Sequence, residues 1–135
     1  MFDYILDTFG KFRKRKTRFT EIEDKAITLL KSFVSGEIDG KEFAIAFNDV
    51  RKNFIEQTKK DGQTVIDEDT PLWLNSLLGL HFMKWFKFQQ LKWYFEEHPE
   101  ELVGETKARF DDIRQMGYDE RFMETCNSVL KELKE

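Results

Sequence analysis

The stretch from Leu72 to Phe95, LWLNSLLGLHFMKWFKFQQLKWYF, carries three Trp, four Phe and one Tyr in 24 residues, with no acidic residue and no proline. Such a run reads as one central helix that other helices must cover. Thr70 is a favoured N-cap residue, Pro71 suits the first helical position, and Pro99 lies just beyond the far end. At 1.5 Å per residue the segment is long enough to cross roughly 30 Å of hydrocarbon. Its lysines argue otherwise, because Lys84, Lys87 and Lys92 would each cost about 2.5–3.5 kcal/mol near a bilayer centre. Ser76, Gly79, Lys84, Lys87 and Gln90 instead form a narrow polar stripe, the face left to water when neighbours cover the rest.

The 135 residues fit a single helical domain, 1–135, large enough to bury about 65–70% of the surface its unfolded chain exposes. Fourteen Phe against seven Gly and two Pro favour long elements over turns. The expectation is an all-α bundle of five or six helices around the central one, at about 72–96. Phe2, Ile5, Phe9 and Phe12 recur at helical spacing and mark a short, peripheral amphipathic first helix within residues 1–18, which Gly10 weakens. Thr20 and Glu23 make a capping-box pair, followed by the apolar face Ile22, Ala26, Leu29, Leu30 and Phe33 of a helix ending near Gly36. Asp39 and Glu42 open the next, with Phe43, Ala46, Phe47, Val50, Phe54 and Ile55 inside and a stop around Asp61 and Gly62. Residues 63–69 read as a loop, since Val65 and Ile66 have no evident strand partner. Pro99 opens a helix through about Gln115, Gly117 breaks it, and Asp119 caps a last helix facing inward through Phe122, Met123, Cys126, Val129, Leu130 and Leu133.

Motifs that would carry chemistry are missing. Ser35 to Phe43, SGEIDGKEF, imitates the second half of an EF-hand loop, but the first ligand positions fall on Lys31 and Phe33, which cannot coordinate Ca²⁺. His81, inside the apolar helix, reads as a buried core residue, and His98 as a helix-boundary residue; neither has Cys or His at zinc-ligand spacing. Cys126 sits on an apolar helix face and behaves as a small hydrophobe. A lone cysteine suits a reducing compartment, and the N-terminus lacks the pattern of a secretory signal, so the cytoplasm is the expected address. With no phosphate loop and no nucleophile elbow, the sequence reads as non-catalytic, without cofactor or metal.

What remains is charge. Lys11, Arg13, Lys14, Arg15, Lys16 and Arg18 give the first 18 residues a net charge of +4, which leaves −8 on the rest of a chain totalling −4. Two acidic clusters border the central helix: Asp67, Glu68 and Asp69 before it, and Glu96, Glu97, Glu100, Glu101 and Glu105 after it. Some acid is expected at helix N-termini, where it complements the macrodipole. The functional reading is docking on a basic partner, with Asp67, Glu68, Asp69, Glu96, Glu97, Glu100 and Glu101 as the contact residues.

The segment AITLLKSFVSGEIDGKEFAIAFNDV, Ala26 to Val50, resembles the helix, Gly-containing turn and helix near the start of small bacterial immunity proteins of the colicin D and contact-dependent growth inhibition type. That resemblance implies a cytoplasmic helical protein that binds a toxic nuclease domain and occludes its active site, acidic side chains standing where substrate phosphates would lie. The charge pattern is compatible, since nuclease domains need positive surface for the nucleic-acid backbone. Two alternatives use the basic run at 11–18. A nucleic-acid-binding module would contact phosphates with it, although the rest of the chain would repel them. A membrane-surface adaptor would pair it with the preceding amphipathic segment, weakened by Asp3 and Asp7.

Overall fold

The computed structural model describes residues 16–134, and the fold is helical as the sequence leads one to expect. Helix α1 spans Thr20–Val34 and α2 Gly40–Gln57. A two-stranded hairpin comes next, β1 at Lys59–Lys60 and β2 at Gln63–Thr64. The central helix then runs through α3 (Leu72–Ser76), a π-helical turn at Leu77–His81 and α4 (Phe82–Glu97). A 3₁₀ turn at Pro99–Glu101, α5 (Gly104–Arg114) and α6 (Tyr118–Lys134) complete the described chain. Among the described residues four bodies make the bundle: α1, α2, the central helix and α6. This is one or two fewer than the five or six expected: Pro99 opens only a 3₁₀ turn, the short α5 lies against the side of α4 with Phe110 meeting Phe95 and Phe88, and the expected first helix lies outside the described residues.

Aromatic packing holds the bundle together. Phe43 stacks between Phe33 and Phe47 at 4.3 and 4.7 Å between ring centroids, and Trp85 stacks on Phe122 at 4.5 Å. Each such contact contributes about 0.5–1.5 kcal/mol beyond the area it buries. Trp85 is 2% exposed, and Ala26, Leu30, Phe47, Val50, Phe54 and Cys126 are buried as their spacing indicates. The polar stripe Ser76, Gly79, Lys84, Lys87 and Gln90 faces solvent throughout. No helix among the described residues is long and apolar enough to cross a membrane.

The EF-hand imitation resolves into two helix ends. Gly36, at φ +83°, closes α1: its N–H reaches the Phe33 carbonyl at 3.2 Å and the Glu37 N–H reaches that of Ser32 at 2.9 Å. Asp39 then caps α2, accepting the Glu42 N–H at 2.8 Å.

Several local expectations are corrected. Thr20 does not cap α1; its hydroxyl accepts the Thr17 N–H, while Glu23 accepts the Trp73 indole N–H at 3.0 Å and so ties α1 to the central helix. Phe19, just ahead of α1, is fully buried against Phe54. Ile55 is exposed and Ala44 is buried in its place on the inner face of α2. Asp61 and Gly62 end no helix but form the two-residue turn of the hairpin, both at positive φ, so residues 63–64 do have a partner. Pro71, not Thr70, stands at the N-cap of α3. His81 is exposed rather than buried, because the π turn carries it outward. Asp119 lies inside the first turn of α6, where it accepts hydrogen bonds from Trp85, Gln89 and Lys92 of α4 at 2.7–2.9 Å.

Candidate functional site

The two acidic clusters occupy opposite ends of the central helix and are built differently. At the N-terminal end the loop uses its own acid. Asp67 Oδ2 accepts from Arg18 at 3.1 Å and Lys60 at 3.2 Å, while Oδ1 accepts the Asp69 N–H and the Thr70 hydroxyl. The Thr70 oxygen in turn accepts the Asp67 N–H at 3.1 Å, so Thr70 closes a turn ahead of the helix. Lys60 first, then the Asp69 N–H and Arg18, hold the Asp67 carboxyl down at about 2 despite some desolvation. Arg18 also lies 3.8 Å from Asp69, donates to the Gln57 carbonyl and covers the Phe19 ring. Of the three acids only Glu68 is exposed, and two cations sit among them. This end is close to neutral, and its charges fasten residues 18, 60 and 67 together.

The basic run fares similarly where it is described. Arg18 is committed to this loop and Lys16 is exposed, whereas Lys11, Arg13, Lys14 and Arg15 lie outside the described residues, as does the amphipathic segment before them.

At the C-terminal end the first two acids stand apart from any described ion pair. Glu96 and Glu97 fill the last turn of α4, which has no basic residue, so they meet the negative end of the helix dipole, an arrangement that costs stability. Both are exposed and make no ion pair among the described residues. The chain then turns through His98 and the Pro99–Glu101 turn, pinned by the His98 N–H to the Tyr94 carbonyl and the Glu101 N–H to the His98 carbonyl. Glu100 and Glu101 project beside His98, their oxygens 3.6 and 3.9 Å from Nδ1. Glu105 pairs with Arg109 one turn along α5.

Two apolar side chains stand in this acidic ground. Tyr94 is 44% exposed, tilts on the His98 ring at 4.5 Å and donates its hydroxyl to Glu101 at 2.6 Å. That bond to Glu101, then desolvation and the charges of Glu101 and Glu100, raise the phenol above its ordinary range. Val103 is 62% exposed. An exposed aromatic ringed by charge is the composition of a protein-binding anchor. Sequence reading missed Tyr94, His98 and Val103 as members of this surface; the available signal was an aromatic residue closing the central helix directly before the string of glutamates.

His98, Glu100 and Glu101 each offer one donor atom within 4.8 Å of the others, a spacing that a divalent ion can bridge. Nucleophilic chemistry has no support at Cys126, whose burial pushes the thiol up to about 12. No family model matches this chain, and neither the curated proteins nor the solved structures compared with it give a match.

Proposed function

We propose that this chain is a non-catalytic inhibitor that docks the acidic pole at Glu96, Glu97, Glu100 and Glu101 on a basic surface of a protein partner. The observation that carries the reading is the placement of Glu96 and Glu97 at a helix C-terminus, where their charge opposes the dipole and makes no ion pair among the described residues. Tyr94 and Val103 supply the apolar anchor that a purely electrostatic contact would lack.

The partner is a bacterial nuclease toxin in this reading, and the protein its cytoplasmic immunity factor. That identity rests on the likeness of residues 26–50 to immunity proteins and on chemistry: a nuclease cleft is lined with positive charge for phosphates, and four glutamates at the end of α4 and in the 3₁₀ turn after it can stand in their place. Asp67 and Asp69 are secondary because Arg18 and Lys60 already draw on that loop, leaving Glu68 as its outward charge.

The test is inhibition of toxin nuclease domains by wild-type protein and by a variant with all four glutamates changed to glutamine. Wild type is expected to abolish cleavage at stoichiometric ratio, and the variant to need at least about tenfold more protein, since each charge-assisted contact is worth about 1.5–3 kcal/mol. Equal inhibition by both would overturn the assignment of the acidic pole and point to the basic run at 11–18 as the contact surface.

A further inference from the structure

A second surface, remote from the acidic pole, has the opposite character. Between the π turn and the start of α6 lies a cleft of about 740 Å³, within the range of small-molecule sites. Leu80 and Met116, 63% and 53% exposed, border it together with the half-buried Tyr118. Three nitrogenous side chains converge on the same space: His81, Lys84 and Arg121. Among the described residues none of them makes an ion pair, although Lys92, two turns along the same helix from Lys84, is paired with Asp119 at 2.9 Å. The Arg121 guanidinium rests 5.2 Å from the Tyr118 ring centroid. Glu124 is the one acid on the lining.

The backbone here is special as well. The Phe82 N–H bonds the Leu77 carbonyl five residues back, and the widened turn carries Leu80 and His81 to the cleft. Turns of this kind recur at functional sites. An exposed apolar wall, the unpaired side chains of Lys84 and Arg121 and a π turn thus coincide on a chain of net charge −4.

We propose that this cleft binds a small amphiphilic anion, its carboxylate, sulfonate or phosphate between Lys84 and Arg121 and its apolar body over Leu80, Met116 and Tyr118. The charge complementarity selects an anion, and the apolar wall selects one with a hydrocarbon or aromatic body over inorganic phosphate.

The test uses 1-anilino-8-naphthalenesulfonate and its uncharged counterpart N-phenyl-1-naphthylamine as probes, with fluorescence titration and amide chemical-shift mapping. The sulfonate is expected to bind saturably at one site, with shifts centred on Leu80, His81, Lys84, Met116 and Arg121, and the neutral probe about tenfold more weakly. Lys84→Gln with Arg121→Gln should weaken the sulfonate by at least about tenfold and leave the neutral probe unchanged. The variant with Glu96, Glu97, Glu100 and Glu101 changed to glutamine should bind the sulfonate like wild type, so failure at one surface is separable from failure at the other. Non-saturable binding, shifts elsewhere, or equal affinity of the sulfonate for wild type and the Lys84/Arg121 variant would overturn the proposal.

Discussion

Asp67 shows how one residue type can serve the fold where its sequence context suggests docking. Its carboxylate meets four donors, and its lowered pKa has a definite consequence for stability. The folded-state value lies below the ordinary 3.8, so the stabilisation is fully present above about pH 4 and is lost as pH falls through about 2. Asp67→Asn should therefore lower the urea midpoint at pH 7, and the gap from wild type should narrow as the pH approaches 2. A gap independent of pH would place the effect in shape and not in charge. Trp85 is the counterpart in the core: 2% exposed, stacked on Phe122 and bonded through its indole N–H to Asp119. Trp85→Ala should cost about 3–5 kcal/mol, much of the stability of a domain this size, through lost burial and an unfilled cavity. An unchanged denaturation midpoint would contradict a core centred on this residue.

The helices themselves were readable from spacing, whereas their ends and the joints between them were less so. Periodicity located α1, α2 and α6 and their inner faces because burial on one side imposes the pattern directly. The cap at Asp39 and the stop at Gly36 were legible because each uses a residue with a single conformational advantage. At Gly36 that advantage is positive φ with open space around it, so Gly36→Ala should cost roughly 1–2 kcal/mol from backbone strain alone, read as a drop in melting temperature. The hairpin at Asp61–Gly62 was present as an Asp-Gly signal but is too short to show alternation. The π turn is invisible to a 3.6-residue template, since one added residue shifts the phase of the rest of the helix while leaving composition untouched. Asp119 and Glu23 show the same limit: each stands where a helix start explains it, yet its partners come from the central helix, 27–34 residues before Asp119 and 50 after Glu23.

At the scale of the whole molecule the two ends of the central helix are unlike. The central helix separates a near-neutral loop tied by Arg18 and Lys60 from a pole bearing Glu96, Glu97, Glu100 and Glu101, with the cationic cleft of Lys84 and Arg121 along its flank. The sequence displayed both acidic clusters but not this difference, because which cluster is neutralised depends on Arg18, 49 residues from Asp67 in the chain. Exposed charges of the acidic pole contribute little to folding but steer encounter with a basic partner. The decisive measurement is the association rate with a toxin nuclease domain, by stopped flow across a range of salt, for wild type and for the variant with all four glutamates changed to lysine. The expected result is a wild-type rate that falls steeply with salt and a variant rate at least about tenfold lower at low ionic strength, the variant keeping its helical circular-dichroism spectrum. Equal rates with equal salt dependence would contradict the acidic pole as the docking surface.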